Sequence, residues 1–188
     1  MRSEWSGNHA LAFPNRKWGR ITNVSVERCG ECGFDSDDWS DASAIAAIKR
    51  LPLRWTAAVG ELSSSDQLRR PVHQMWSVAE YADHVREVLF GMRFLLDTAI
   101  SQPGTDLGDS PTPQFASQPR KIDVETALGG IEHEARSLSQ QLAGLSSRDW
   151  SLTVIIDGAS VDPHWIARHV VHDATHHLLD IGRLRSAL

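Results

Sequence analysis

Apolar residues recur at helical spacing in four long stretches of this chain, which predicts four amphipathic helices. These stretches are residues 41–62, 77–99, 123–143 and 163–184. Pro52 falls inside the first stretch and is expected to divide it into two pieces, because proline interrupts the helical hydrogen bonds. Ser77-Val78-Ala79-Glu80 is a capping box, and Asp162-Pro163 is an N-cap followed by a first-turn proline. The pattern predicts an all-α fold, a four-helix bundle.

The connections between these helices carry their own signals. Residues 101–122 contain four prolines and no helical period, so they predict a long crossover loop. Fully extended, such a loop reaches about 70 Å and can return along the whole bundle. The β-branched run before Asp157-Gly158 predicts a small hairpin directly before the last helix.

Residues 165–184 of the last helix carry four of the nine histidines of the chain. Because residues four apart share one face of a helix, His172 with His176 and Asp173 with His177 are each a two-ligand metal clamp. At about 100° per residue, Asp173 and His177 fall on the flank of the apolar stripe, whereas His172 and His176 fall largely opposite it. The geometry favours Asp173 and His177 as the inward pair, and the other pair is the alternative.

A third ligand would have to come from another helix. His84 lies at the flank of the apolar stripe of the second helix and is the best-placed candidate, although a lone histidine there is more often structural. Three protein ligands leave a coordination position open, which is typical of a catalytic metal. Asp180, one turn from His177, could orient its ring. Tyr81 could assist catalysis as a hydrogen-bond donor, but a core position is its more common role.

Two cysteines, Cys29 and Cys32, lie in a Cys-Gly-Glu-Cys-Gly sequence that resembles a zinc knuckle. A structural zinc takes four ligands, and the sequence has no second pair of cysteines. Three interpretations stay open: a reduced turn, a half-site for structural zinc completed by histidine, carboxylate or a second chain, and a redox dithiol. Residues 1–40 are interpreted as an extension that carries this knuckle, and residues 41–188 as the helical bundle.

Charge and composition exclude several functions. The net charge is −5, and no basic face of the kind that binds nucleic acid is evident. No apolar run is long enough to cross a membrane, and the first residues lack the apolar centre of a signal peptide. The sequence therefore predicts a cytoplasmic protein whose partners are neither nucleic acid nor membrane, and it leaves open whether the protein forms a homodimer.

Two segments, Trp76–His84 and Asp173–Ile181, resemble the second-helix and last-helix motifs of the DinB/YfiT-like superfamily. This superfamily includes thiol-dependent S-transferases and mycothiol-dependent maleylpyruvate isomerases. The resemblance, over residues 41–188, implies a four-helix bundle whose divalent metal is held by a histidine of the second helix and two residues four apart on the last. In the isomerases these two residues are a glutamate and a histidine, and an aspartate follows three residues after the histidine. Asp173, His177 and Asp180 match that spacing, with aspartate replacing glutamate.

Other members of the superfamily use histidine at both positions, which would suit His172 and His176. The resemblance implies an S-transferase or isomerase that uses a low-molecular-weight thiol such as mycothiol or bacillithiol against an electrophile. The helical region contains no cysteine, so the thiol would be external. Mixed nitrogen and oxygen ligands favour zinc, with nickel, manganese or iron as alternatives. The competing hypothesis is a metal-binding or stress-induced bundle without catalysis.

Overall fold

The structure, a computed structural model, describes residues 26–60, 62–71, 75–109 and 122–187. In these residues the helices are α1 (Asp41–Gly60), α2 (Ser64–Leu68), α3 (Val78–Ser101), α4 (Val124–Gly144) and α5 (Pro163–Arg185). Strands β1 (Val154–Ile156) and β2 (Ala159–Val161) precede α5. The predicted four-helix bundle and its small hairpin are confirmed, with α2 as a short addition between the first two long helices.

The four long helices form a ring of contacts. Helix α1 packs against α4 and α5, and α3 packs against the same two helices, so α1 and α3 occupy opposite corners of the bundle. Each helix contributes its apolar stripe to one core, where burial of a large side chain stabilises the fold by about 1.5–3 kcal/mol. Fully buried core residues include Ile48, Leu51, Trp55, Leu89, Leu96, Ile131, Leu138, Ile166 and Ile181.

Local capping fixes where α3 and α5 begin. The Ser77 hydroxyl accepts the Glu80 N–H at 3.3 Å, and the Ser77 N–H donates to Glu80 Oε2 at 2.9 Å. At the start of α5, Asp162 accepts the Trp165 N–H at 2.8 Å, and Pro163 occupies the first turn. These contacts satisfy amides that a helix leaves free at its N-terminus. They also set the register of the two helices that carry the predicted ligands.

The predicted break at Pro52 is wrong. Helix α1 runs from Asp41 to Gly60 with Pro52 inside it. Proline removes one backbone hydrogen bond, but Leu51 and Trp55 on either side of it are fully buried. Helices in proteins gain most of their stability from such packing, which outweighs the local cost of the proline.

The hairpin turns at Asp157-Gly158, as predicted. Both residues have positive φ, 54° and 74°, which matches the right-handed twist of a two-residue hairpin. The start of the crossover runs beside this hairpin, because the Gly104 N–H donates to Thr153 O at 2.7 Å and the Leu107 N–H donates to Ile155 O at 2.9 Å. The crossover thus leaves α3 along β1.

Residues 26–40, the described part of the predicted extension, pack against α5. Phe34 is buried, and the Arg168 side chain donates to the Trp39 carbonyl oxygen at 3.0 Å. Residues 1–25 of the predicted extension and residues 110–121 of the predicted crossover lie outside the described residues. Among the described helices, none combines the length and apolarity needed to cross a membrane.

Candidate metal centre

His84, Asp173 and His177 meet at the interface of α3 and α5. His84 Nε2 lies 3.5 Å from Asp173 Oδ1, and His177 Nε2 lies 3.6 Å from the same oxygen. All three side chains are buried. The helical spacing of Asp173 and His177 turns both side chains toward α3, whose capped start brings His84 opposite them. The three residues predicted from the sequence are therefore neighbours, and their role as metal ligands stays a prediction.

The separations at this cluster suit a shared cation better than direct hydrogen bonds. N–H···O hydrogen bonds usually measure about 2.7–3.2 Å. Two nitrogen or oxygen ligands about 2.0–2.2 Å from one tetrahedral metal lie about 3.4 Å apart, close to the distances at Asp173 Oδ1. Asp173 Oδ2 and His177 Nε2 are buried and, within the described residues, have no hydrogen-bond partner. Buried polar atoms normally have a bonding partner, and a divalent cation would be such a partner for these two atoms.

Aromatic rings enclose the cluster on one side. The Trp76 ring centroid lies 5.3 Å from the ring centroids of Tyr81 and His84, and Tyr81 lies 5.1 Å from the His177 ring. Trp76 and Tyr81 are both buried. These rings give the polar cluster an apolar wall and lower the local dielectric constant, which strengthens its electrostatic interactions. The catalytic role suggested for Tyr81 stays a prediction.

Asp180 lies one turn beyond His177 and contacts its other ring nitrogen. His177 Nδ1 is 3.0 Å from Asp180 Oδ2, and the neighbouring His176 Nε2 is 3.6 Å from the same oxygen. A carboxylate on the far nitrogen fixes the ring orientation and the tautomer of a metal-binding histidine. Asp180 thus directs His177 Nε2 toward Asp173.

The cluster strongly perturbs its own ionisable groups. Burial alone would raise the pKa of Asp173, but the imidazoles of His177 and His84 bring it well below its usual range. Burial alone would lower the pKa of His177, but Asp173 and Asp180 raise it to about 9. Positive charge is therefore favoured between these side chains, and a metal cation could take the place of the proton.

The alternative clamp of the last helix also finds partners. His172 and His176 lie beside Cys29 and Cys32, and the four ligand atoms are all within 4.8 Å of one another. Both histidines are buried, whereas the helical wheel predicted a face largely opposite the core. The reason is that residues 26–36 cover this face of α5. Asp173 and His177 thus face His84 of α3, whereas His172 and His176 face the two cysteines. Which pair binds metal stays a prediction.

Glu27 was not anticipated as part of this second cluster. Its carboxylate lies 2.5 Å from His172 Nδ1 and 3.1 Å from His169 Nδ1. Burial alone would raise the pKa of Glu27, but the two histidines lower it to about 2. Glu27 lies in a segment without periodicity, 145 positions before His172, so no local signal in the sequence could have found the contact.

Comparisons with known proteins agree with this fold. YfiT from Bacillus subtilis, a probable metal-dependent hydrolase with an unusual four-helix bundle topology, is similar in structure, with a TM-score of 0.66 at 12% sequence identity. The similarity covers 78% of this chain and 86% of YfiT. No curated protein matches the sequence. The family model of the DinB superfamily matches residues 47–181. The chain therefore belongs to the DinB superfamily.

Proposed function

We propose that this protein is a metal-dependent enzyme, an S-transferase or isomerase that uses a low-molecular-weight thiol, with His84, Asp173 and His177 as its metal ligands. The observation that carries the proposal is the convergence of three buried donor atoms at separations of 3.5 and 3.6 Å. Three protein ligands leave a position open for a reactant. Membership of the DinB superfamily, and the likeness to a probable metal-dependent hydrolase, support a metal-dependent activity.

The residues around the cluster suit an anionic nucleophile. A divalent metal held by these residues would lower the pKa of a thiol bound at the open position and would so supply a thiolate at neutral pH. Asp173 is the one carboxylate among the three ligands, so the protein compensates half of a 2+ charge and favours an incoming anion. Asp180 keeps His177 oriented, and Trp76 and Tyr81 limit access of water from their side.

The thiol must come from outside the chain. Cys29 and Cys32 are its two cysteines, and both belong to the other cluster, with His172 and His176. A small external thiol such as mycothiol or bacillithiol therefore fits the proposal better than a protein nucleophile. We place the activity in the cytoplasm, where small thiols are kept reduced. Zinc is the proposed metal, because imidazole and carboxylate ligands suit it.

A second candidate follows from the same open position. Water in place of a thiol would make the protein a hydrolase, and the likeness to YfiT, a probable metal-dependent hydrolase, favours that option. The third candidate is a helical bundle that binds metal without catalysing a reaction. The three differ in what they need: a thiol and an electrophile, water and an ester or amide, or no substrate.

The metal is tested first. Elemental analysis of protein purified without a metal-affinity tag should lose one equivalent of metal in His84→Ala and in His177→Ala. His133, whose side chain is 72% exposed on α4, provides the matched control, since His133→Ala should leave the metal content unchanged. Unchanged metal in both ligand variants would remove the metal-dependent hypothesis.

The thiol is tested next, on the metal-replete protein. We expect consumption of a chromogenic electrophile to depend on added mycothiol or bacillithiol and to disappear in His177→Ala. Turnover of ester substrates without any thiol would favour the hydrolase instead. Loss of metal without loss of activity in His177→Ala would contradict both enzymatic candidates.

A further inference from the structure

The turn at Cys29–Phe34 has the backbone of a metal knuckle. The Gly33 N–H donates to Cys29 O at 2.9 Å, and the Cys29 N–H donates to Phe34 O at 2.8 Å. Gly33 has a φ of 73°, a conformation that a side chain would strain. This compact turn holds Cys29 and Cys32 on one side, next to α5, so that both sulfur atoms can reach a common point.

Helix α5 faces this turn with a pair of histidines one turn apart. Cys29 Sγ lies 3.5 Å from His176 Nδ1, and the rings of His172 and His176 are nearly perpendicular, at 89°. Together with Cys32 these residues place four ligand atoms within 4.8 Å of one another. Two sulfur and two nitrogen atoms are thus gathered from segments far apart in the sequence.

The measured separation agrees with tetrahedral coordination. Zinc binds cysteine sulfur at about 2.3 Å and histidine nitrogen at about 2.0–2.1 Å. At a tetrahedral angle these bond lengths place sulfur and nitrogen about 3.6 Å apart. The distance from Cys29 Sγ to His176 Nδ1 is 3.5 Å, which matches this expectation.

Neighbouring side chains fix the ring nitrogens as a metal site requires. Glu27 Oε1 lies 2.5 Å from His172 Nδ1, so the other nitrogen, Nε2, is directed away from this carboxylate. That Nε2 is buried, and no described residue forms a hydrogen bond with it. Phe34 stacks on the His172 ring at 4.7 Å, and Asp180 Oδ2 lies 3.6 Å from His176 Nε2. A carboxylate on the outer nitrogen, as Glu27 provides for His172, is the usual support of a metal-binding histidine.

We propose that Cys29, Cys32, His172 and His176 form a second, closed zinc site. It is structural and separate from the three-ligand centre, which is the proposed site at His84, Asp173 and His177. Two thiolates and two neutral imidazoles balance the 2+ charge and fill all four positions, so no reactant can bind. Thiolate ligands select zinc over magnesium, calcium or manganese. The zinc fastens residues 26–36 to α5 and thereby covers the face that carries His172 and His176.

One residue, Asp180, lies beside both sites. Asp180 contacts both His176 and His177, so the closed site steadies the helix turn that also serves the three-ligand centre. The proposal for the closed site does not depend on the proposed enzymatic function. If the three-ligand centre binds no metal, the closed site would still contain one zinc with sulfur ligands.

The first test measures the wild-type protein, so it does not depend on a variant that folds. Elemental analysis without an affinity tag should find zinc, and X-ray absorption should show sulfur neighbours at about 2.3 Å together with nitrogen neighbours at about 2.0–2.1 Å. A zinc environment without sulfur would overturn the proposal. A disulfide between Cys29 and Cys32 in freshly purified protein would also overturn it, in favour of a redox dithiol.

The second test assigns the ligands. Cys29→Ser with Cys32→Ser should lower the zinc content by one equivalent and remove the sulfur signal, whereas His84→Ala should lower the total metal and keep that signal. In the wild type, both thiols should resist alkylation until a strong chelator is added. Rapid alkylation without chelator, with unchanged zinc in the double variant, would show that the cysteines form an ordinary reduced turn.

Discussion

A buried ion pair connects the segment before α3 to the first turn of that helix. Arg70 Nε donates to Glu80 Oε2 at 2.7 Å, and a second guanidinium N–H donates to Glu80 Oε1. The side chains are 7% and 1% exposed. Glu80 also closes the capping box with Ser77, and His84 lies one turn further along α3. Loss of this pair should therefore affect both the stability of the fold and the position of one proposed ligand.

We predict that Arg70→Met lowers the free energy of unfolding by about 3 kcal/mol. Breaking a buried ion pair usually costs about 3–5 kcal/mol, because it leaves an uncompensated charge. Glu80 keeps two donors, the Ser77 N–H at 2.9 Å and the Ser77 hydroxyl at 3.0 Å, which favours the lower end of that range. In a chain of this size about 1 kcal/mol shifts Tm by about 2–4 °C, so Tm should fall by about 6–12 °C.

The neighbouring Arg69 provides a matched control. It pairs with Asp66 at 3.1 Å, but these side chains are 51% and 35% exposed. Exposed pairs contribute little, so Arg69→Met should leave Tm nearly unchanged. Thermal and urea unfolding followed by circular dichroism, at saturating zinc, would compare the two variants directly. Equal losses in Arg69→Met and Arg70→Met, or an Arg70→Met variant as stable as the wild type, would refute the argument.

A double variant separates the charge from the packing. Because a buried ion pair can often be replaced by apolar residues at little cost, Glu80→Met in the Arg70→Met background should recover part of the lost stability. Recovery should fall short by about 1 kcal/mol, since the Ser77 N–H loses the Glu80 carboxylate that accepts it in the capping box. A double variant less stable than Arg70→Met alone would show that the unpaired carboxylate is not the source of the loss.

Three further substitutions test the core, the shared support and the unbroken helix. Leu89→Asp should cost several kcal/mol by burying an unpaired carboxylate, whereas Phe94→Asp on the same helix, at a position that is 52% exposed, should change Tm little in thermal unfolding. Asp180→Ala should weaken metal retention about 10–100-fold in chelator competition, because both His176 and His177 lose a contact. Pro52→Ala should raise the free energy of unfolding, by up to about 3 kcal/mol, in urea titrations.

Features that depend on neighbours in the sequence were predictable. The capping box at Ser77 and the hairpin turn at Asp157-Gly158 each involve a few consecutive residues whose preferences are strong. Pro52 shows the limit of such reasoning, because its local cost is outweighed by burial of Leu51 and Trp55 in contacts with other helices. A rule that considers one helix alone cannot weigh that packing.

The cluster at His172 and His176 shows a second limit. A helical wheel assumes one buried face, so it assigned these histidines to the side opposite the apolar stripe. The residues that bury them, such as Phe34 and Glu27, come from a segment without periodicity, and their contacts span more than a hundred positions. The meeting of His84, Asp173 and His177 was easier to predict, because these residues lie on stripe flanks that must face a neighbouring helix.

The one-residue offset between the two clamps on α5 explains why the helix needs two different partners. His172 and His176 share one direction, and Asp173 and His177 share another, turned by about 100°. One ion cannot be held by both pairs, so in the two proposals each pair is completed from the element that it faces. The adjacent rings of His176 and His177 accordingly stand at 88° to each other. Helix α3 offers a single histidine and leaves a coordination position open, whereas the knuckle offers two cysteines and closes the set. In the two proposals, one helix thus presents a centre suited to reaction beside a centre suited to structure.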